Sequence, residues 1–168
     1  LSTGNFIYVL MLELTDGTST INEKNKYIIM KPTVYQPAFS LSESGFKLPF
    51  TITEGVTEYI YELPVTLNTA LTEDITCDVT VKKELLDEYN ATSPIEYSLI
   101  SDKGNNYTIG KLTFSKGNVT ANLTVKIDIT NLEGNFALPL EITSTKYAFS
   151  GENTVIIGLQ NSAPKITL

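Results

Sequence analysis

Paired carboxylates are the nearest this chain comes to catalytic equipment. Glu73-Asp74 and Asp87-Glu88 are of the type used in glycoside hydrolysis, where two acids flank the scissile bond. Both pairs are sequence neighbours at polar positions, so they read as solvated surface acids. The chain has no histidine, which removes the usual nucleophilic triads and the commonest metal ligand. No GxSxG, Walker or dinucleotide fingerprint is present. "SDKGNN", residues 101–106, offers oxygen ligands. It lacks the acid-rich spacing and distal glutamate of a calcium loop, so a turn is expected there. The single cysteine, Cys77, cannot form an internal disulfide. In "DITCDVTV" it alternates in phase with Ile75, Val79 and Val81, which predicts a buried thiol rather than a reactive one. No catalytic residue, metal or cofactor is expected, and the chain reads as a non-enzyme.

Binding chemistry is better represented. Glycan recognition favours a flat aromatic ring among polar groups. Tryptophan is absent, and Tyr59 and Tyr61 share the inward phase of their strand. That leaves Tyr97, Tyr107 and Tyr147, which lie near turns, as candidate ligand-binding residues for a sugar. Tyrosines at such positions also cap the ends of β-sandwiches. Nineteen acids against twelve bases give a net charge of −7, the wrong sign for a phosphate backbone, so nucleic acid is not an expected partner. Four sequons, at Asn90, Asn106, Asn118 and Asn122, are what an Asn/Thr-rich strand protein contains by composition alone.

The elements that must hold these residues are strands. Thr, Asn, Ile, Val and Tyr are abundant while Ala and Arg are scarce. "VTANLTVKIDI" places Val119, Ala121, Leu123, Val125, Ile127 and Ile129 on one face and polar residues on the other. "YIYELPVTL" turns Tyr59, Tyr61, Leu63, Val65 and Leu67 inward, and "FALPLEI" does so with Phe136, Leu138, Leu140 and Ile142. Their outward prolines, Pro64 and Pro139, predict an edge strand or a bulge. Further strands are expected at 46–53, 74–82, 107–114 and 153–159, separated by turns at 53–55, 102–106, 115–118 and 150–153. Only "KKELLDEYN" reads as helix, with Leu85, Leu86 and Tyr89 packing onto an open end of the sandwich. The expected fold is all-β: an immunoglobulin-like antiparallel β-sandwich with one short helix. No apolar run approaches the roughly 18 residues of a membrane span, and no basic n-region precedes the first apolar segment.

The chain also repeats itself. Sliding residues 10–31 onto 138–159 without a gap aligns seven identical residues, among them Leu10 with Leu138 and Ile28 with Ile156. Residues 1–32 therefore read as the C-terminal hairpin of a preceding similar module. Residues 33–160 form the complete module, and 161–168 a linker or the start of the next one. Tyr8, Leu10, Leu12 and Leu14 would then present an apolar face belonging to that other module.

"DITCDVTV" followed by "LLDEYN", and later "ALPLEI", resembles a β-sandwich domain family of unknown function found in surface lipoproteins of Bacteroidetes. That family stands at the N-terminal end of endo-β-N-acetylglucosaminidase-like and other glycan-processing proteins. The resemblance covers roughly residues 59–158. It implies an accessory or spacer role at the cell surface, on the outer-membrane face, with glycan and neighbouring domains of the same chain as partners. It supplies no catalytic residue. No cysteine near Leu1 is placed to carry lipid, so the anchor is expected outside this stretch. The alternative function is a structural or adhesive tandem-repeat module that binds a protein partner.

Overall fold

A computed structural model describes residues 8–11, 27–30, 36–100, 107–130 and 132–161. The chain divides into two compact units, Leu1–Gln36 and Pro37–Leu168. In the first, β1 (Tyr8–Met11) and β2 (Tyr27–Met30) pair antiparallel, with Leu10 opposite Ile28. The residues aligned with them, Leu138 and Ile156, are not paired, because Leu138 faces Ile157 instead. The two hairpins are thus one residue apart in register. The apolar face expected of Tyr8, Leu10, Leu12 and Leu14, the turn at 101–106 and the tail beyond 161 lie outside what is described.

The second unit runs β3 (Phe39–Leu41), β4 (Gly45–Ile52), β5 (Glu58–Leu67), β6 (Ile75–Val81), α1 (Lys83–Asn90), β7 (Ser98–Leu99), β8 (Tyr107–Ile109), β9 (Leu112–Phe114), β10 (Thr120–Asp128), β11 (Phe136–Thr143) and β12 (Thr154–Asn161). One sheet has the order β3-β5-β10-β8. The other has β4-β12-β11-β6-β9, with β7 beside β11. The period-two faces of β5, β10 and β11 meet between them. Leu63, Val65, Leu123, Val125 and Ile127 from one sheet, and Leu138, Leu140, Ile142, Val155 and Ile157 from the other, join a single buried core. Cys77 belongs to this core as a free, buried thiol. Val119 departs from the expected inward phase. It precedes the first paired residue of β10 and is 42% exposed.

Three departures from the sequence pattern have physical causes. First, the strand expected over 107–114 is two strands in different sheets: β8 pairs with β10, and β9 with β6. The chain changes sheets at Gly110, whose N–H bonds Thr124 O at 2.8 Å. A Cβ at Gly110 would stand 2.9 Å from that carbonyl oxygen, so the crossing is closed to larger residues.

Second, Pro64 and Pro139 lie on interior strands, not edges or bulges. Each sits one residue past the last pairing of a neighbour: Leu41 pairs with Val65, and Val81 with Leu140. The Pro64 carbonyl accepts from Ser42 N–H at 3.0 Å and the Pro139 carbonyl from Lys82 N–H at 3.1 Å. A residue's N–H lies on the same side of its strand as its C=O. The donor that proline lacks would therefore point where the neighbouring strand has just ended. It is Pro49, in the edge strand β4, that occupies a bulge, between the Lys47↔Ile157 and Phe50↔Leu159 pairings.

Third, among the described residues β4 pairs parallel with β12 and β7 with β11, and Phe39 makes an isolated parallel bridge to Phe149. About a hundred residues separate β4 from β12, so no hairpin fixes their relative direction.

Candidate functional site

The three candidate tyrosines stand in separate surroundings. Tyr97 is 4% exposed, with its ring packed 4.9 Å from Phe46 and 6.1 Å from Tyr89. Burial raises its phenol pKa. Its ring is committed to packing and offers no open face to a sugar. Tyr147 is half-buried at the rim of an aromatic cluster, 6.2 Å from Phe39, which in turn packs on Phe114 and Phe149. Tyr107, half-buried at the start of β8, is the member of the trio that lines a surface hollow.

Tyr97 belongs to a second, smaller core. Leu86, Tyr97, Ala137 and Ile156 are buried together, flanked by Phe46, Leu85, Tyr89, Ile95 and Leu99. Ala137 and Ile156 are on the outward phases of β11 and β12. Helix α1 thus covers the outer face of the larger sheet, and the expectation that it would plug an open end is corrected. Phe46 stacks on Tyr89 with ring centroids 4.2 Å apart and crosses over Gly158, where a Cβ would lie 2.5 Å from its ring. Asn90 closes the arrangement: its side-chain amide donates to Tyr97 O at 2.8 Å and accepts from Tyr97 N–H at 3.1 Å. The residues of "LLDEYN" and "ALPLEI" are therefore the helix, its seat and the proline that ends β6. The sequon at Asn90 is part of this staple.

Three of the four paired acids have partners within the chain. Glu73 pairs with Lys146, Asp74 accepts Lys116 N–H at 2.7 Å, and Asp87 pairs with Lys83 one helical turn earlier. Among the described residues no three His, Cys, Asp or Glu side chains are grouped to hold a metal.

The hollow is on the outer face of the smaller sheet and has a volume of about 330 Å³. Glu58 and Thr57 line it from β5 and the residue before it, Tyr107 and Thr108 from β8, Lys126 and Asp128 from the end of β10, and Thr130 from just beyond it. Register explains the grouping: Asp128 is directly opposite Glu58, and Lys126 opposite Thr108. Ile129 N–H bonds Thr57 O at 2.9 Å, fixing the floor. The Asp128 carboxylate accepts the Thr130 hydroxyl and, at 2.8 Å, its N–H, which together hold its pKa below the usual value. The hollow thus presents charged acceptors, one ammonium and several hydroxyls to solvent. The sequence reading caught Tyr107 alone of this set. The others occupy the polar phase of ordinary one-sided strands, and only the register shows that they converge.

A family model described as a "-like, N-terminal domain" matches residues 24–148, well over half of the chain. The chain belongs to that family. The match is consistent with the Bacteroidetes β-sandwich family that the helix and β11 motifs resemble. No curated protein matches the chain. Among solved structures, a candidate carbohydrate-binding protein from Bacteroides ovatus superposes with a TM-score of 0.58 at 19% identity, over 75% of this chain and 37% of its own. A two-domain protein of unknown function from Bacteroides fragilis gives 0.61 at 13% identity, over 76% and 46%. EndoBT-3987 of Bacteroides thetaiotamicron, solved with a Man5GlcNAc product, gives 0.56 at 17% identity, over 69% and 28%. At these identities the likeness is one of fold. The chain spans less than half the length of each of these proteins.

Proposed function

We propose that this chain is a non-catalytic accessory module of a bacterial cell-surface glycan-handling protein. It spaces another domain of the same chain from the membrane and contributes to glycan capture. The observation that carries this reading is the N-terminal-domain family match, alongside neighbours that include EndoBT-3987 and a candidate carbohydrate-binding protein. The arrangement of the acids fits it, since Glu73 and Asp87 are in surface ion pairs and Asp74 holds a turn. The test is to delete the module from its parent protein. Turnover of a small soluble substrate should persist, while capture of intact glycoprotein by cells falls. Loss of turnover on the small substrate, or turnover by the isolated module, would defeat the reading.

The tandem alternative draws on the alignment of residues 10–31 with 138–159. In that reading residues 1–32 close a preceding module and 33–160 form a complete one. A lone two-stranded hairpin is marginal in water and has to be covered by other strands. The family match begins at residue 24 and includes β2, so the boundary needs a direct test. A chain beginning at Thr33 should melt cooperatively within a few degrees of the full chain. Unfolding of the truncated chain would make the hairpin an integral part of the sandwich.

A further inference from the structure

We infer that the hollow over β5, β8 and β10 is a saccharide site selective for neutral sugars, an inference that rests on the glycan-handling role proposed above. Three observations converge on it. The volume, about 330 Å³, is at the small end of ligand sites and suits one or two sugar rings rather than an extended chain. The lining matches the chemistry of adjacent sugar hydroxyls, each of which both donates and accepts. The carboxylates of Glu58 and Asp128 accept, the Lys126 ammonium donates, and Thr57, Thr108 and Thr130 carry hydroxyls that do either. Charge-assisted bonds of this kind are the stronger ones.

The third observation is an electrostatic cost. Glu58 and Asp128 are direct cross-strand partners, and like charges placed so oppose folding. Thr130 holds Asp128 in place and ionised by two hydrogen bonds. A pair that works against the sheet, fixed in a hollow beside an ammonium, fits a ligand whose hydroxyls donate hydrogen bonds to it. Two carboxylates against one ammonium leave the site net negative, within a chain whose net charge is −7. Sialylated, uronic or sulfated sugars are repelled there, and neutral ones are not.

The test is a titration of the isotope-labelled full chain, followed by amide resonances, with Man5GlcNAc as the neutral probe and sialyllactose as the acidic one. Shifts are expected at Glu58, Thr108, Lys126, Asp128 and Thr130 with Man5GlcNAc and not with sialyllactose. The double variant Glu58→Gln/Lys126→Ala should melt like the parent and bind at least ten-fold more weakly. Shifts confined to another surface and indifferent to the variant would overturn the hollow as the site while leaving a glycan-binding module standing. Equal binding of sialyllactose would overturn the selectivity. No shift with either probe at millimolar concentration would overturn the site altogether. The deletion experiment then judges the accessory role separately.

Discussion

The two sheets of this sandwich share one core but treat their outer faces in opposite ways. The larger sheet carries Ala137, Ile156 and Gly158 on its outward phases, and α1 with Phe46, Tyr89 and Tyr97 seals them from water. The smaller sheet turns out Glu58, Glu62, Thr66, Asn122, Lys126 and Asp128, and among the described residues no helix lies over them. Its outward apolar residue, Ile60, is 50% exposed. A sealed face stabilises the module but has no surface left for a partner. A bare face adds little to stability and keeps its polar groups for binding. The family motif maps onto the larger sheet, on its core side and its sealed side, so what marks this chain as a family member is its architecture. The site inferred here is on the bare face.

The largest expected effect tests the sealed side. Leu86 is 2% exposed at the centre of the second core. Leu86→Ala should cost about 2–4 kcal/mol in denaturant unfolding. A loss under about 0.5 kcal/mol, the surface range, would mean that the helix is an ornament and the contrast between the faces is false. Next comes the staple. Asn90→Ala leaves the Tyr97 N–H and C=O without their partner, in a partly buried place, at a cost of about 1–2 kcal/mol. Asn90→Asp separates the two bonds, because it keeps the acceptor and loses the donor. It should fall between wild type and Asn90→Ala.

Much of this was legible from period and phase. The inward sets of β5 and β11, the buried Cys77 and the short helix all follow from alternation or three-four spacing. The sealed face left a fainter trace. "TVIIGL" in β12 is apolar on both phases from Val155 to Leu159, the mark of a strand covered on both sides. Read together with Ala137, that run points to the outer face as the seat of the helix. The prolines misled because proline reports a missing neighbour at one residue, and the rule extends that to a whole strand. The polar hollow was illegible for a different reason. Period two says that Lys126 and Asp128 face water, but which residue of β5 or β8 stands beside them is set by register, and register is set by tertiary pairing.

The shared core supplies the next test, through alkaline pH. Burial, with the charge of Asp78 adding to it, raises the Cys77 thiol from 9.0 to about 11, although a hydrogen bond with Ser144 acts the other way. Burial and then Glu43, whose carboxylate is 3.3 Å from the phenol oxygen, raise Tyr61 from 10.0 to about 12. The unfolded chain gives up these protons near their ordinary values while the folded chain retains them. The stability they contribute is therefore complete below pH 9 and is lost as pH rises toward 12. The melting temperature should fall across that window. Cys77→Ala should remove the part of the decline that starts near pH 9 and leave the Tyr61 part, which runs from 10.0 to about 12. An unchanged slope in Cys77→Ala would show that the thiol is not held in the low-dielectric core that both faces enclose.

The smallest effect is the most discriminating, because its sign is opposite. On the bare face Glu58 stands directly across from Asp128. Exposed like charges in this position cost a few tenths of a kcal/mol, and salt screens them. Glu58→Gln keeps shape and hydrogen-bonding capacity while removing one charge. It should stabilise the chain by up to about 0.5 kcal/mol at low ionic strength, and the gain should shrink as salt is added. The control is Glu62→Gln: Glu62 accepts the Thr124 hydroxyl at 3.0 Å across the same two strands and has a threonine, not an acid, opposite it. It should give no gain. A loss of stability in Glu58→Gln would mean that Glu58 serves the sheet itself, and the bare face would then be structural like the sealed one.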